Sequence, residues 1–179
     1  MLWVYIISAY VLGTFLTATV VGRLRGIDIS KAGSGNLGAR NAGRVLGKWA
    51  FFSVMIGDGL KGVIVVLSGQ ALAMTNSVIA LALLCAVFGH VYPFWRKFRG
   101  GKGVATLVGG LLFFQPWGIV WLVSGFSVVA LITRSSTKGM YGAFVVYSMM
   151  LLIFEQQSAF FAVIAMAFVV WANKQEVKE

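Results

Sequence analysis

Long apolar runs, joined by short polar or basic connections, dominate this chain of 179 residues. The first of them, 1–22, contains no charged residue. About 20 consecutive apolar residues are enough to cross the hydrocarbon core of a bilayer as a helix. Only 11% of the residues are charged and 59% are hydrophobic, which is far from the balance of a soluble domain. The pattern therefore predicts an all-α integral membrane protein.

The apolar runs number seven or five, depending on two weak breaks. Gln115-Pro116 and the polar stretch 155–158 each separate runs that would otherwise merge into one span. Hydropathy alone does not decide between these alternatives. With both breaks counted, the sequence predicts helices over about 1–22, 49–69, 75–95, 103–115, 116–132, 139–154 and 156–172.

The distribution of Lys and Arg favours seven spans. With the N-terminus outside, the segments on the inner side hold 14 of the 15 basic residues; these segments are 23–48, 96–102, 133–138 and 173–179. Cytoplasmic loops of membrane proteins carry such an excess. With five spans, segment 133–138 would lie outside. We therefore expect a seven-helix transmembrane bundle with its C-terminus in the cytoplasm, and the net charge of +10 needs no nucleic acid as partner.

Asp58 and Lys61 are the only charges within the second apolar run. Residues three apart lie on the same face of a helix. Because a lone charge near the centre of a membrane costs about 2.5–3.5 kcal/mol or more, we expect the two side chains to pair. Whether the pair only orients the helix or also contacts a substrate stays open at this point.

The segment 33–44 reads Gly-Ser-Gly-Asn-Leu-Gly-Ala-Arg-Asn-Ala-Gly-Arg. Glycines let backbone amides approach an anion closely. On a helix Arg40 and Arg44 would share a face and repel each other unless an anion lies between them. Neutral hydrogen-bonding groups come from Ser34, Asn36 and Asn41. The segment predicts a phosphate site, and a flexible basic loop on anionic headgroups is the alternative.

The segment 89–106 contains the only histidine, His90, and the tetrapeptide Gly-Gly-Lys-Gly at 100–103. The spacing of a nucleotide P-loop is absent because Gly103 follows Lys102. The glycines instead precede a predicted helix, whose N-terminus favours anions. From the residues alone, His90 is a general base, a donor to phosphate or a histidine buried at a helix end.

The sequence contains no residue pattern typical of a metal site or of a catalytic nucleophile. It has one cysteine, Cys85, and one histidine, and five acidic residues in all. No Ser-His-Asp or Cys-His arrangement and no metal-ligand cluster follows from them. Catalysis would then depend on positioning and on charge stabilisation by Lys, Arg and backbone amides, without metal or cofactor.

Three motifs together resemble the bacterial acyl-phosphate-dependent glycerol-3-phosphate acyltransferases, the PlsY family. They are the stretch 33–41 followed by Arg44, the pattern Asp58-x-x-Lys61-Gly62, and Gly89-His90-x-x-Pro93 continuing through 100–106. The resemblance covers about residues 1–139, in order and spacing. It implies one transmembrane domain over 1–179 that crosses the bacterial cell membrane several times. We also expect membrane lipid as a partner and a monomer, although the sequence itself does not determine the oligomeric state.

The resemblance also implies the reaction. An acyl group would pass from acyl phosphate to the 1-hydroxyl of glycerol 3-phosphate, giving lysophosphatidate for phospholipid synthesis. The catalytic residues would be Ser34, His90 and Lys102. The substrate-binding residues would be Gly35, Asn36, Arg40, Asn41, Arg44, Gly101, Lys102, Thr137 and Asn173.

Three features depart from the family's usual pattern. Arg40 stands where the family usually has Thr, Thr137 and Met140 stand where it usually has serines, and Asn173 is the only counterpart to a longer basic tail. These departures favour a second hypothesis, a divergent paralogue that binds a phosphorylated ligand or lipid without this turnover. A transporter for a small phosphorylated anion is a third.

Overall fold

In a computed structural model that describes residues 1–115 and 117–174, all regular secondary structure of those residues is helical. Short 3₁₀ turns occupy Ile29–Lys31 and Phe94–Arg96. The α-helices are α1 (Leu2–Thr14), α2 (Thr17–Leu24), α3 (Ala39–Leu46), α4 (Lys48–Ala71), α5 (Asn76–Val91), α6 (Val104–Phe114), α7 (Gly118–Thr133), α8 (Ser136–Phe154) and α9 (Gln156–Lys174).

The prediction of an all-helical membrane protein is confirmed. In the described parts of the chain, five segments are long and apolar enough to cross a membrane. They are Leu2–Leu24, which comprises α1 and α2, and Lys48–Ala71, Asn76–Arg96, Ser136–Phe154 and Gln157–Lys174. α6 and α7 are apolar but shorter, with 11 and 16 residues. At 1.5 Å per residue α6 extends about 16 Å, half of a typical hydrocarbon core. The count of seven spans thus stays a prediction, and the predicted break at Pro116 and residues 175–179 lie outside the described residues.

The first apolar run is not one helix, so the prediction of a continuous helix over 1–22 is wrong. Phe15 and Leu16 have extended backbone angles, with ψ near 107° and 108°, and they separate α1 from α2. The break leaves carbonyls at the end of α1 and an amide at the start of α2 without helical partners. Inside a membrane each such group costs several kcal/mol unless a protein group binds it.

Side chains distant in sequence bind the carbonyls at this break. The ammonium of Lys61 donates to the carbonyl oxygen of Phe15 at 2.8 Å and, at 3.4 Å, to that of Gly13. The indole Nε1 of Trp95 donates to the carbonyl oxygen of Thr14 at 3.1 Å. α4 and the segment after α5 therefore hold the break open.

Asp58 binds the other side of the break. Its Oδ1 accepts from the amide of Thr17 at 3.3 Å and from the hydroxyl of Thr17 at 2.9 Å. The same oxygen lies 3.0 Å from the ammonium of Lys61, and both side chains are buried, at 2% and 3% exposed. The predicted pairing of the two charges is confirmed, and the pair also completes the hydrogen bonds of a broken helix.

α4 and α6 cross at small residues. A Cβ on Gly62 would overlap the carbonyl oxygen of Thr106 and lie 2.6 Å from the amide of Gly110. Glycine is therefore required at this crossing. The Thr106 hydroxyl donates to the carbonyl oxygen of Asp58 at 3.0 Å, and this hydrogen bond joins the same two helices one turn before Gly62.

The helix ends that surround the functional residues lie on one side of the bundle. The C-terminal ends of α5 and α9 and the N-terminal parts of α4, α6 and α8 all contribute to the wall of one cavity. α3 and the segment before it form the remaining wall. α5 lies at the centre, where its buried Leu83 and Val87 belong to the main hydrophobic core.

Candidate functional site

A cavity of about 370 Å³ brings together most of the residues that the sequence singled out. It lies between α3, α4 and the N-terminus of α6. The predicted site residues that line it are Ser34, Asn36, Arg40, Asn41, Arg44, His90, Lys102 and Asn173. Residues from two separate segments, 33–44 and 89–106, and from the end of α9 therefore converge on one place.

The rest of this cavity wall is mostly apolar, and its residues Phe51, Met55 and Val108 were not predicted from the sequence. Phe51, Met55 and Asp58 follow one another at helical spacing along α4 and form one side. Val104 and Val108, one turn apart on α6, form another. This i, i+4, i+7 spacing next to Asp58 was the available signal, but within a helix that is apolar all round it does not distinguish a cavity wall from a lipid-facing surface.

A second cavity of about 550 Å³ adjoins the first. Asn36 and Lys102 line both cavities, so these two residues stand at the boundary. Arg99 and Gly101 line only the second, together with Trp171 from α9. Two spaces with a shared cationic boundary could hold two ligands side by side.

Asn41 builds the loop that carries Ser34. Its Oδ1 accepts from the amide of Ser34 at 2.9 Å, and its Nδ2 donates to the carbonyl oxygens of Ala32 at 2.9 Å and Ile29 at 3.3 Å. Asn41 is only 1% exposed. Because its side-chain amide bonds to backbone groups of the loop, Asn41 positions Ser34 at the wall of the first cavity.

Asp28 and Gly35 shape the same loop from its ends. Asp28 Oδ1 accepts from the hydroxyl of Ser30 at 2.7 Å and from the amide of Ser30 at 3.1 Å, which starts the Ile29–Lys31 turn. These hydrogen bonds, the hydroxyl's first, hold the pKa of the Asp28 carboxyl below its ordinary value. Gly35 has a positive φ of 71° and donates its amide to Ala32 at 3.0 Å. It supports the turn and is not among the residues that line the first cavity.

Arg40 and Arg44 lie one turn apart on α3, and both line the first cavity. Arg40 also reaches across to α8, where its guanidinium donates to the hydroxyls of Thr137 at 3.0 Å and Ser136 at 3.1 Å. Thr137, predicted to bind substrate, is in neither cavity wall and is instead a hydrogen-bond partner of Arg40. Segment 136–138, predicted to be part of a basic loop, is instead the first turn of α8, capped by the hydroxyl of Ser135.

His90 is buried at the end of α5, at 3% exposed. Its Nδ1 lies 2.8 Å from the ammonium of Lys61. Its carbonyl oxygen accepts from the amide of Gly101 at 3.1 Å, and a Cβ on Gly101 would overlap the Nε2 of the ring. Only glycine therefore lets the connection before α6 fold directly against the imidazole.

Met140 and Asn173 complete the wall from α8 and α9. Met140, 8% exposed, puts a thioether where the family resemblance leads one to expect a hydroxyl. Asn173 lines the first cavity while its Nδ2 donates to the carbonyl oxygen of Val169 at 2.8 Å. For metals, residues 1–115 and 117–174 contain no group of three or more His, Cys, Asp or Glu side chains that could hold an ion.

Comparisons with known proteins agree on one family. The model of the family described as glycerol-3-phosphate acyltransferase matches residues 3–179. A glycerol-3-phosphate acyltransferase 1 of Bacillus cereus is 42% identical over 139 residues, which are 77% of this chain and 76% of that protein. A glycerol-3-phosphate acyltransferase of Synechococcus elongatus is 44% identical over 160 residues, which are 82% of this chain and 75% of that protein.

Solved structures agree with the sequence comparisons. A crystal structure of PlsY (YgiH), an integral membrane glycerol 3-phosphate acyltransferase, in its glycerol 3-phosphate form superposes with a TM-score of 0.87 at 28% identity. The match covers 99% of this chain and 90% of the other. The lysophosphatidic acid form of the same protein matches with a TM-score of 0.86 over the same shares of both chains.

Proposed function

The chain belongs to the glycerol-3-phosphate acyltransferase family, and we propose that its acyl donor is acyl phosphate and its acceptor the 1-hydroxyl of glycerol 3-phosphate. Acyl transfer to glycerol 3-phosphate is the activity of this enzyme, which serves phospholipid synthesis. The convergence of Ser34, Arg44, His90 and Lys102 on one cavity beside an apolar wall is the observation that carries the proposal.

Two adjoining cavities suit a reaction between two phosphorylated substrates. The first has an apolar side formed by Phe51, Met55 and Val108, which suits the start of an acyl chain. The second has Arg99 and the backbone of 100–101 in its wall, which suits a small polar substrate. We therefore assign acyl phosphate to the first cavity and glycerol 3-phosphate to the second, with Lys102 at the boundary between them.

The cations supply the charge that two phosphates require. Arg44 can form paired hydrogen bonds with phosphate oxygens through its planar guanidinium. Lys102 contributes a compact positive charge where both substrates meet. The N-terminus of α6 begins at the same boundary, with Gly103 and Val104 in the wall, and a helix N-terminus favours an anion.

The proposed reaction requires no covalent intermediate with the protein. In acyl phosphate the acyl carbon is bound to a phosphate oxygen. The glycerol oxygen forms the new ester bond to that carbon, and the bond from the carbon to the phosphate oxygen breaks. The hydroxyl proton passes to a phosphate oxygen, so the products are lysophosphatidate and hydrogen phosphate. Positioning and stabilisation of the departing phosphate by Lys102 and Arg44 supply the catalysis.

The remaining residues position the reacting groups. We assign Ser34 to orient the acyl phosphate, because Asn41 fixes its loop at the cavity wall. Asn36 lies beside Lys102 at the boundary, and Gly101, which has no side chain, lets a substrate in the second cavity approach the backbone closely. Asn173 borders the apolar cavity from α9. Arg40 connects α3 to α8 at the wall of the first cavity and adds positive charge there.

The membrane arrangement is part of the same proposal. We assign seven spans, counting α1 with α2 as one and including the short α6 and α7, with the N-terminus outside and both cavities at the cytoplasmic face. The positive-inside distribution of Lys and Arg supports this orientation. We further propose one transmembrane domain over 1–179 that acts as a monomer among the lipids of the bacterial cell membrane.

Purified protein supplied with palmitoyl phosphate and glycerol 3-phosphate tests the reaction directly. We expect lysophosphatidate and inorganic phosphate in equal amounts, and Lys102→Ala is expected to lower kcat by about 10²–10³. Lys48→Ala is the matched control, because Lys48 is exposed and lies in neither cavity wall. Binding of glycerol 3-phosphate without turnover, or full activity in Lys102→Ala, would contradict the proposal.

A further inference from the structure

Lys61 is surrounded by hydrogen-bond acceptors. Its ammonium lies 3.0 Å from Asp58 Oδ1, 2.8 Å from the carbonyl oxygen of Phe15 and 3.4 Å from that of Gly13. The fourth neighbour is Nδ1 of His90, at 2.8 Å. A carboxylate and two carbonyls around one buried amine stabilise its protonated form, which has three N–H donors and no acceptor.

An ammonium at 2.8 Å dictates the state of the histidine beside it. Because Lys61 can only donate, Nδ1 of His90 must be the acceptor and carry no proton. Asp58 does not offer a competing bond, since its Oδ1 lies 3.9 Å from the same nitrogen. His90 is therefore the neutral imidazole with its single proton on Nε2.

The protonated nitrogen is on the side of the ring where the substrates bind. Nε2 lies against Gly101, which lines the second cavity, while His90 itself lines the first. Nδ1 points the other way, to the buried Lys61. A histidine in this state has a donor for the substrates and no free basic nitrogen on their side.

We propose that Lys61 is a positioning residue that fixes His90 as the Nε2–H tautomer, so that His90 donates a hydrogen bond to an oxygen of the phosphorylated substrate and does not act as a general base. The assignment of the ring protons stands on the structure alone, whereas the role toward a substrate rests on the proposed function. The helix break between α1 and α2 belongs to this device, because its carbonyls help hold the Lys61 ammonium against His90.

Nuclear magnetic resonance of the two ring nitrogens tests the tautomer. The chain has one histidine, so ¹⁵N-labelled histidine reports on His90 without assignment. In the whole protein in lipid nanodiscs near neutral pH, we expect one nitrogen with a bonded proton, Nε2, and one without, Nδ1. A proton on Nδ1, whether as the other tautomer or as the imidazolium, would overturn the proposal.

Variants of Lys61 test whether this side chain is the cause. Lys61→Met alone leaves Asp58 buried and unpaired, so the double variant Asp58→Asn with Lys61→Met is the one to measure. We expect its labelled ring nitrogens to show both tautomers and its kcat to fall. Lys61→Arg keeps a donor that cannot accept, and is expected to keep Nδ1 free of a proton. A double variant that retains the pure Nε2–H tautomer would show that Lys61 does not fix it.

Two replacements of His90 separate donation from base catalysis. In His90→Leu both functions are lost, and we expect kcat to fall by about 10²–10³. The amide of His90→Gln can donate at the position of Nε2 but cannot accept a proton as a base. We expect it to recover at least about tenfold over His90→Leu. Equal activity of the two variants would refute the donor role, whereas absence of turnover in the unmodified protein would refute the proposed function and leave the tautomer result standing.

Discussion

The guanidinium of Arg40 donates to the hydroxyl of Thr137 at 3.0 Å, across 97 residues of sequence. Both are positions at which the chain departs from the family's usual pattern. In the structure these two unusual residues are bonded to each other. Arg40 also donates to Ser136, so it joins α3 to the first turn of α8. An arginine in place of a small residue is thus accommodated at the cavity wall by hydroxyls of the facing helix.

Replacing Arg40 tests whether this bridge is its main role. We expect Arg40→Thr to leave acyl transfer equal to or above that of the unmodified enzyme, because both terminal nitrogens of the guanidinium are bonded to hydroxyls of α8. Thr137→Val breaks the same bond from the other side and keeps the charge. Each variant should lose about 0.5–1.5 kcal/mol of stability at most, measured by thermal unfolding in detergent. Turnover abolished by Arg40→Thr and kept by Thr137→Val would instead make Arg40 a substrate ligand.

Replacing Arg44 tests its proposed role in binding phosphate. We expect Arg44→Ala to lower kcat/KM by about 10- to 100-fold, as for the loss of a charge-assisted hydrogen bond. Arg44→Lys should recover only part of this, because an ammonium keeps the charge and lacks the planar pair of donors. Steady-state kinetics with each substrate varied in turn measures both. If Arg44→Lys were as active as the unmodified enzyme, Arg44 would contribute only its positive charge and not its paired donors.

Breaking the Asp58–Lys61 pair should destabilise the fold more than removing both charges. Asp58→Asn leaves the buried ammonium of Lys61 without its carboxylate, and we expect a loss of about 3–5 kcal/mol. In the double variant Asp58→Asn with Lys61→Met, no uncompensated charge remains, and part of the loss should be recovered. Thermal unfolding in detergent gives the comparison. A single variant as stable as the unmodified protein would show that the pair is not structural.

The α4–α6 crossing offers a matched pair of glycines. A Cβ on Gly62 would overlap the carbonyl oxygen of Thr106, whereas a Cβ on Gly59, one turn earlier, would lie at an ordinary 3.6 Å from the carbonyl oxygen of Ala105. We expect Gly62→Ala to cost about 1–3 kcal/mol by forcing the helices apart. Gly59→Ala should be neutral or slightly stabilising, because alanine favours the helix. The prediction fails if the two variants unfold at the same temperature.

Local patterns in the sequence predicted much of this structure. The apolar runs predicted the helices from α4 to α9 within a few residues, and the spacing of Asp58 and Lys61 predicted their pairing. The four-residue spacing of Arg40 and Arg44 would place both on one face of a helix, and they do lie on α3, although a helix there was not predicted. Each of these inferences depends on residues close in sequence, whose relative geometry a helix determines.

The break in the first span was not predictable in this way. Phe15 and Leu16 are as apolar as their neighbours, and no glycine or proline stands between Thr14 and Thr17. The partners that stabilise the break lie far along the chain, Lys61 at 46 residues and Trp95 at 81. The apolar cavity wall was missed for a related reason, since Phe51 and Val108 become neighbours only when α4 and α6 pack together.

The same break has a consequence for how the chain is made. When the first segment enters the bilayer, Lys61 and Trp95 have not yet followed it there, and exposed carbonyls in lipid cost several kcal/mol each. The segment is then expected to insert as an unbroken helix and to open at Phe15 and Leu16 only after the later segments have joined it. The cavity around His90 would therefore be completed late, by refolding a helix that is already in place.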